Sequence, residues 1–253
     1  MSLEFEIARR YMSSRHRYGF VSVITFISIG GVIIGTAALV VVLSVMNGFE
    51  SEIRSRIIGT GSDIMISHVT GGGIQDWREL AEKISAVEGV KAISPIIQSK
   101  CAIASKTESD GVVVRGIIPE EEAKVSRIND YLLTKNLSFK TIDSSSTGIW
   151  LGVSLADRLN VQLNDKIKLF SLKEAASSFT GFIPKAMNCQ VVGVFETGMY
   201  EYDANMVYIS LESAQSLFNM GDRITEITVK TSDYTLADRI AQEIDRVVGY
   251  KYY

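Results

Sequence analysis

The sequence predicts an α+β protein, with one N-terminal transmembrane helix continuing as a stalk into a two-lobed, mixed α/β domain beyond the membrane. Three observations predict this. No charged side chain occurs from Tyr18 through Phe49, and an apolar run of more than about 20 residues is long enough for the roughly 30 Å hydrocarbon layer of a bilayer. Beyond that run Phe49, Ile53 and Ile57 recur every four residues among Glu50, Glu52, Arg54 and Arg56, the pattern of a helix with one apolar face. The rest of the 253-residue chain mixes short β-branched runs with amphipathic helical stretches in a composition ordinary for a water-soluble domain.

Arg9, Arg10, Arg15, His16 and Arg17 precede the apolar run, whereas Glu50 and Glu52 open the far side. That excess of basic residues places the N-terminus in the cytoplasm. A cleavable signal peptide would have a core of about 7–15 residues ending in small residues, and "SVMNGFE" is a poor cleavage site. A buried core helix would show a polar face over such a length. As it stands the sequence predicts a single span.

In chain order, "LEFEIARRYM" has apolar and charged groups spaced as in a short amphipathic helix, an elbow over residues 1–17 lying along the cytoplasmic face. The transmembrane helix and stalk occupy 18–58, stopping at "GTG", since glycine commonly follows a helix end. Within the span Gly31 and Gly35 form a "GVIIG" of the small-xxx-small type, suited to close helix packing. The domain occupies 59–253. "DIMIS" reads as a strand, "HVTGGG" as a turn and "DWRELAEKISAV" as a helix with Trp77, Leu80, Ala81, Ile84 and Val87 on one face. "VKAISPIIQSKCAIAS" and "GVVVRGI" read as strands joined by the polar "KTESD" loop. "EEEAKVSRINDYLL" reads as broken helix, followed by a polar connector. A more β-rich insert lobe spans about 148–196 and holds the helix "SLADRLN" and the strands "DKIKLFS" and "NCQVVGVFE". The chain then runs through the strand "NMVYISL", the helix "ESAQSLF", the strand "RITEITVKT" and the helix "LADRIAQEIDRVV".

Several functions are excluded or left without support. The net charge of −3 argues against a nucleic-acid binder. No G-x-x-x-x-G-K-[ST] or G-x-S-x-G occurs, so neither nucleotide binding nor a serine hydrolase has a motif. The glycines of "TGGGIQ" read as a turn, and Glu120, Glu121 and Glu122 as acids at a helix N-terminus. His16 and His68 have no cysteine or histidine close enough to suggest a metal. Cys101 and Cys189 fall in strand segments, and the sequence leaves open whether they pair or stay as isolated thiols. "SSFTGFIPKAM" places Phe179, Phe182 and Ile183 around Gly181 and Pro184, between two strands, where a short polar connection is usual. Such a loop is either tucked against the domain or presented to a partner.

The stretch "RRYMSSRHRYGFVSVITFISIGGVIIGTAALVVVLSVMNGFESEI" resembles the start of the lipoprotein-releasing permeases, the LolC/LolE family, with "VLSVMNGFE" its most specific match. "GVKAISP", "VVVRGI", "LGVSLADRLNVQLNDKIKLF" and "VVGVFETGMYEYDANMVYISLESAQ" look like that family's periplasmic domain. That domain is similar to the one in MacB-type macrolide-exporter permeases, with porter and sabre lobes.

The resemblance implies a bacterial inner-membrane subunit with four spans, of which only the first is in this chain. Two permeases, alike or homologous, would pair with a cytoplasmic ABC ATPase that uses ATP and Mg, no cofactor being bound by this chain. The complex would extract acylated lipoproteins from the outer leaflet and pass them to a periplasmic lipoprotein carrier. By resemblance Ala38, Val42, Leu43, Met46 and Asn47 form the first-span wall of the lipoprotein cavity, among membrane lipids. Phe179, Gly181, Phe182, Ile183, Pro184 and Lys185 correspond to the carrier-binding hook. The sequence departs from the family just beyond, where Ala186 and Met187 replace a polar Gln-Arg pad. Two alternatives are a related MacB-type permease exporting another substrate and a single-span anchored periplasmic binding or sensor domain.

Overall fold

The computed structural model describes residues 3–12, 19–134, 138–142, 145–171 and 184–253. The chain divides into two compact units, Met1–Ser55 and Arg56–Tyr253.

In the first unit, helix α1 (Leu3–Met12) has Glu4 and Glu6 in its first turn and Arg9 and Arg10 in its last, each sign at the helix end whose partial charge it complements. Helix α2 (Gly19–Thr60) is continuous for 42 residues, about 63 Å at 1.5 Å per residue. Its segment Val23–Glu50 is long and apolar enough to cross a membrane. Within that segment all side chains are exposed except for the half-buried Gly30, as suits a helix whose apolar surface faces lipid or other helices. The helix passes through Gly59 and stops before Gly61, two residues beyond the end at Ile58 that the glycines predict. One glycine inside a helix costs only about 1 kcal/mol, less than a stop signal requires.

The second unit is built on β1 (Ile64–Ser67), β2 (Val90–Ala104), β3 (Ser109–Ile117), β4 (Thr147–Gly152), β5 (Lys166–Ser171), β6 (Ala186–Phe195), β7 (Met206–Ser210) and β8 (Glu226–Thr231). Their order is β1-β8-β2-β3-β7-β4-β6-β5, with β5 also pairing β2. That last pairing, Cys101 opposite Ser171 through Ala104 opposite Lys168, closes β2, β3, β7, β4, β6 and β5 into a ring. The expected insert at 148–196 thus supplies β4, β5 and β6 to the same ladder as β2, β3 and β7. Period-two alternation turns Ile97, Cys101, Ile103, Val112, Val114, Ile149, Leu151, Ile167, Leu169, Cys189, Val191, Val207 and Ile209 into one buried core.

Strand β2 belongs to two arrangements. Its first half, Val90–Ile96, pairs antiparallel with β8, which pairs in turn with β1. Its second half, from Ile97, pairs with β3. Helices α3 (Trp77–Ser85) and α9 (Ala237–Val248) bury Trp77, Leu80, Ile84, Ile240 and Ile244 in the same core as the ring. Gly89, at φ +93°, closes the α3 turn, and a Cβ there would lie 2.7 Å from Ile240 Cδ1.

The opposite face carries a second core of Ile96, Ile117, Ile128, Leu132, Trp150, Val192, Phe195 and Tyr208. It is covered by α4 (Pro119–Val125) and α5 (Ile128–Tyr131), the two pieces expected of a broken helix. Phe139 stacks on Trp150 with ring centroids 4.4 Å apart. The remaining short helices are α6 (Val153–Arg158), α7 (Tyr200–Asn205) and α8 (Leu211–Leu217), each following or preceding a ring strand directly.

Candidate functional site

Gly31, Gly35, Ala38, Val42 and Met46 fall within about 80° of one another around α2 at 3.6 residues per turn. Leu43 and Asn47 lie on the adjoining flank. The stripe grades from glycine through alanine and valine to methionine, and Phe49 continues it. A Cβ added at Gly31 or Gly35 would meet nothing within 4 Å, and Val42, Leu43 and Met46 are each more than half exposed. The helix therefore offers a flat notch where two glycines let another backbone approach. Next to it lies a softer surface where methionine adapts to irregular apolar shapes.

Of the expected hook, Phe179, Gly181, Phe182 and Ile183 lie outside the described residues. Pro184 and Lys185 are half-buried at the point where β6 begins. The Lys185 carbonyl accepts from Ser171 N at 2.9 Å, the last rung between β5 and β6. The Lys185 ammonium turns the other way, donating to the Ser216 carbonyl at 2.6 Å and to Asn219 Oδ1 at 2.7 Å. Ser216 is in the final turn of α8, where carbonyls lack partners within the helix, and Asn219 beyond it has a left-handed φ of +49°. Lys185, Glu212, Gln215, Ser216, Asn219 and Gly221 line a cleft of about 410 Å³.

A polar cluster absent from the sequence reading lies beneath α4. Arg115 Nη2 is 3.2 Å from Glu122 Oε1, with side-chain exposures of 5% and 1%. Burial disfavours the Arg115 charge, yet Glu122, Tyr208, Tyr202 and Glu226 outweigh it and hold the guanidinium protonated. Burial raises the Tyr208 hydroxyl well above its usual range and also raises Glu226, against the pull of Arg115. The three acids Glu120, Glu121 and Glu122 do occupy the first turn of α4. Glu122 is the one that points inward, and the signal for it was an arginine set among the valines of "GVVVRGI".

A second network fixes the turn before α7. Asp203 Oδ1 accepts from Thr197 N and Thr197 Oγ1, both at 2.8 Å, and Oδ2 accepts from Gly198 N at 3.1 Å. Arg158 Nη2 bridges Asp110 Oδ2 at 2.5 Å and the Ala204 carbonyl at 2.6 Å. These are charge-assisted ties that fix loops.

Cys101 and Cys189 are both buried and free. Burial pushes each thiol up to about 12, the behaviour of core residues rather than reactive ones. His68 occupies a turn, its Nδ1 2.8 Å from Thr70 Oγ1 and its ring edge-on to Tyr252. Gly71 and Gly73 adopt φ of +69° and +82°, as the turn reading of "TGGGIQ" requires. Among the described residues no group of three or more His, Cys, Asp or Glu could hold a metal ion.

The family model of the MacB-like periplasmic core domain matches residues 25–247. Among curated relatives, the lipoprotein-releasing system transmembrane protein LolC of Neisseria meningitidis is 32% identical over 92% of this chain and 55% of its own length. LolC of Xylella fastidiosa is 29% identical over 96% of this chain and 57% of its own length. LolE of Haemophilus influenzae is 26% identical over 92% and 56%. The chain thus spans about half the length of the curated relatives it matches. Among solved structures, the extracellular domain of the ABC-type transporter YknZ from Gram-positive bacteria matches with a TM-score of 0.48 at 13% identity, over 75% of this chain and 97% of that one. The periplasmic region of MacB from Actinobacillus actinomycetemcomitans matches with a TM-score of 0.47 at 16% identity, over 79% and 90%.

Proposed function

The chain belongs to the MacB-like periplasmic core domain family, and on that premise we propose that it is part of a LolC/LolE-type permease that releases lipoproteins from the inner membrane. The observation that carries this reading is the likeness to lipoprotein-releasing LolC along 92% of the chain. In this reading α2 is the first span, with the N-terminus in the cytoplasm and the Arg56–Tyr253 unit in the periplasm. Permease partners, alike or homologous, and a separate cytoplasmic ABC ATPase complete the complex, ATP and Mg being used by the ATPase.

The α2 stripe then has two uses. Gly31 and Gly35 pack against a neighbouring span, and Ala38, Val42 and Met46, with Leu43 and Asn47 beside them, receive acyl chains and the start of the lipid head group. Favourable methionine contacts with variable hydrocarbon and the small residues below them support this division. Phe179, Gly181, Phe182, Ile183 and Pro184 are presented to a soluble periplasmic carrier that takes the lipoprotein onward.

The test is a photocrosslinking residue in place of Met46 in the full-length complex. Lipoprotein is labelled before ATP is added, and the label is lost on turnover. Labelling of partner helices alone, before and after ATP, overturns the cavity assignment.

A further inference from the structure

We infer that Lys185 is a positioning residue, a latch that ties the start of β6 to the C-terminal end of α8, and is not a cation offered to the carrier. The inference rests on the hook reading for its functional meaning but on the described residues alone for its geometry. The hook's closing proline and Lys185 stand between Ser171, where β5 ends, and Ala186, where β6 begins. Backbone and side chain of Lys185 bind in different places. The carbonyl closes the β5–β6 ladder through Ser171 N, while the ammonium spends two donors on Ser216 O and Asn219 Oδ1.

Both acceptors suit a cation. The last carbonyls of a helix carry its partial negative charge, and Asn219 leaves α8 in a left-handed turn that aims its side-chain oxygen at the same point. Ammonium-to-carbonyl bonds of this length are charge-assisted and among the stronger ones available at a surface. The opposite end of α8 is fixed as well, since Ser210 caps it by accepting from Ser213 N at 3.2 Å. Leu211, Ala214 and Leu217 are buried in the core. Helix α8 is thus a fixed post, and a lysine fastened to it holds one foot of the hook in a set direction.

The experiment uses the full-length permease in its complex, with Lys185→Met keeping the apolar stem and Lys185→Arg keeping the charge. Two measurements are made on each form: the crosslinking yield from a photoprobe at Phe179 to purified carrier, and the distance distribution between spin labels at Phe179 and Lys168. The expected result is a broadened distribution and a several-fold lower yield in Lys185→Met, with Lys185→Arg close to the parent in both. A distribution unchanged in Lys185→Met overturns the latch. An unchanged distribution with lost crosslinking that arginine does not restore makes Lys185 a direct carrier contact instead. If the parent itself gives no crosslink, the hook reading fails, and the spin-label distances still decide the latch.

Discussion

Arg115 on β3 and Glu122 on α4 form an ion pair at 3.2 Å in which both side chains are withdrawn from water. Arg115 Nε and Nη2 and Glu122 Oε2 have no hydrogen-bond partner, so the pair is held by charge, with Glu226 a lesser neighbour of the arginine. Removing one member leaves the other buried without its main counter-charge. Arg115→Met or Glu122→Gln alone is expected to cost about 3–5 kcal/mol, while the double replacement costs much less than the sum. Urea unfolding of the four forms in detergent, set out as a double-mutant cycle, measures that coupling. Additive costs would show that the pair is not coupled.

Two acids predict opposite responses to pH. Burial opposes ionisation of Asp63, but Lys230 and the Thr231 amide and hydroxyl hold its carboxyl below the usual value of 3.8. A depressed folded value contributes stability that is full above the unfolded value and is lost as pH falls through the folded one. Asp63→Ala should therefore destabilise by about 2 kcal/mol at pH 7, with the deficit shrinking in acid. Glu226 is raised above 4.5 by burial, against Arg115. Its folded form binds the proton more tightly, so stability is greatest below the unfolded value and declines as pH rises through the folded one. Glu226→Gln should gain on the parent at pH 8 and lose that advantage at pH 4.5, read from unfolding midpoints at both.

Gly152 ends β4 where the backbone of α7 crosses it. An added Cβ would lie 2.2 Å from the Asp203 carbonyl oxygen, a fixed main-chain atom that cannot turn aside. Gly152→Ala is expected to destabilise by about 1–3 kcal/mol or more and to loosen the Thr197–Asp203 turn. Faster hydrogen exchange at the Thr197 and Gly198 amides is the specific readout, since both donate to Asp203.

The two thiols should be silent in the folded protein. With each pushed up to about 12 inside the ring, iodoacetamide at pH 8 is expected to leave Cys101 and Cys189 unmodified and to alkylate both once urea unfolds the domain. Mass spectrometry counts the adducts. Rapid labelling of either one before unfolding would mean that the ring opens locally.

How much of this was legible follows from where each signal lies. The α2 helix is written in the sequence because one solvent, hydrocarbon, imposes one composition along it. Strand β2 was legible through Pro95 because at that point only β8 pairs with it, so the missing amide costs the ladder nothing. Ring closure was not legible. Ile103 opposite Leu169 joins residues far apart in sequence, and such pairing leaves no local mark. The inward turn of Glu122 was hidden because an acid in the first turn of a helix already has a sufficient explanation. At the candidate site, the small-residue pair and the methionine could be read from spacing, but the lysine's direction depends on α8, some thirty residues away.

Strand β2 shifts register once, between Val90 and Ala92, and from Ile93 onward it keeps one alternation. Ile93 and Ile97 face the same core as Cys101 and Ile103, while Ile96 belongs to the second core. A single phase thus sets the inside and outside of both pairings, and a change of length within the strand cannot stay local. One residue inserted after Gln98 would turn every downstream side chain to the wrong side, expelling Cys101 and Ile103 while leaving the β8 pairing intact. Two inserted residues would restore the faces but shift the β3 and β5 partners. For insertions and deletions, β2 behaves as a reading frame: its tolerance comes in twos, and only where the turns at its ends can absorb the slip.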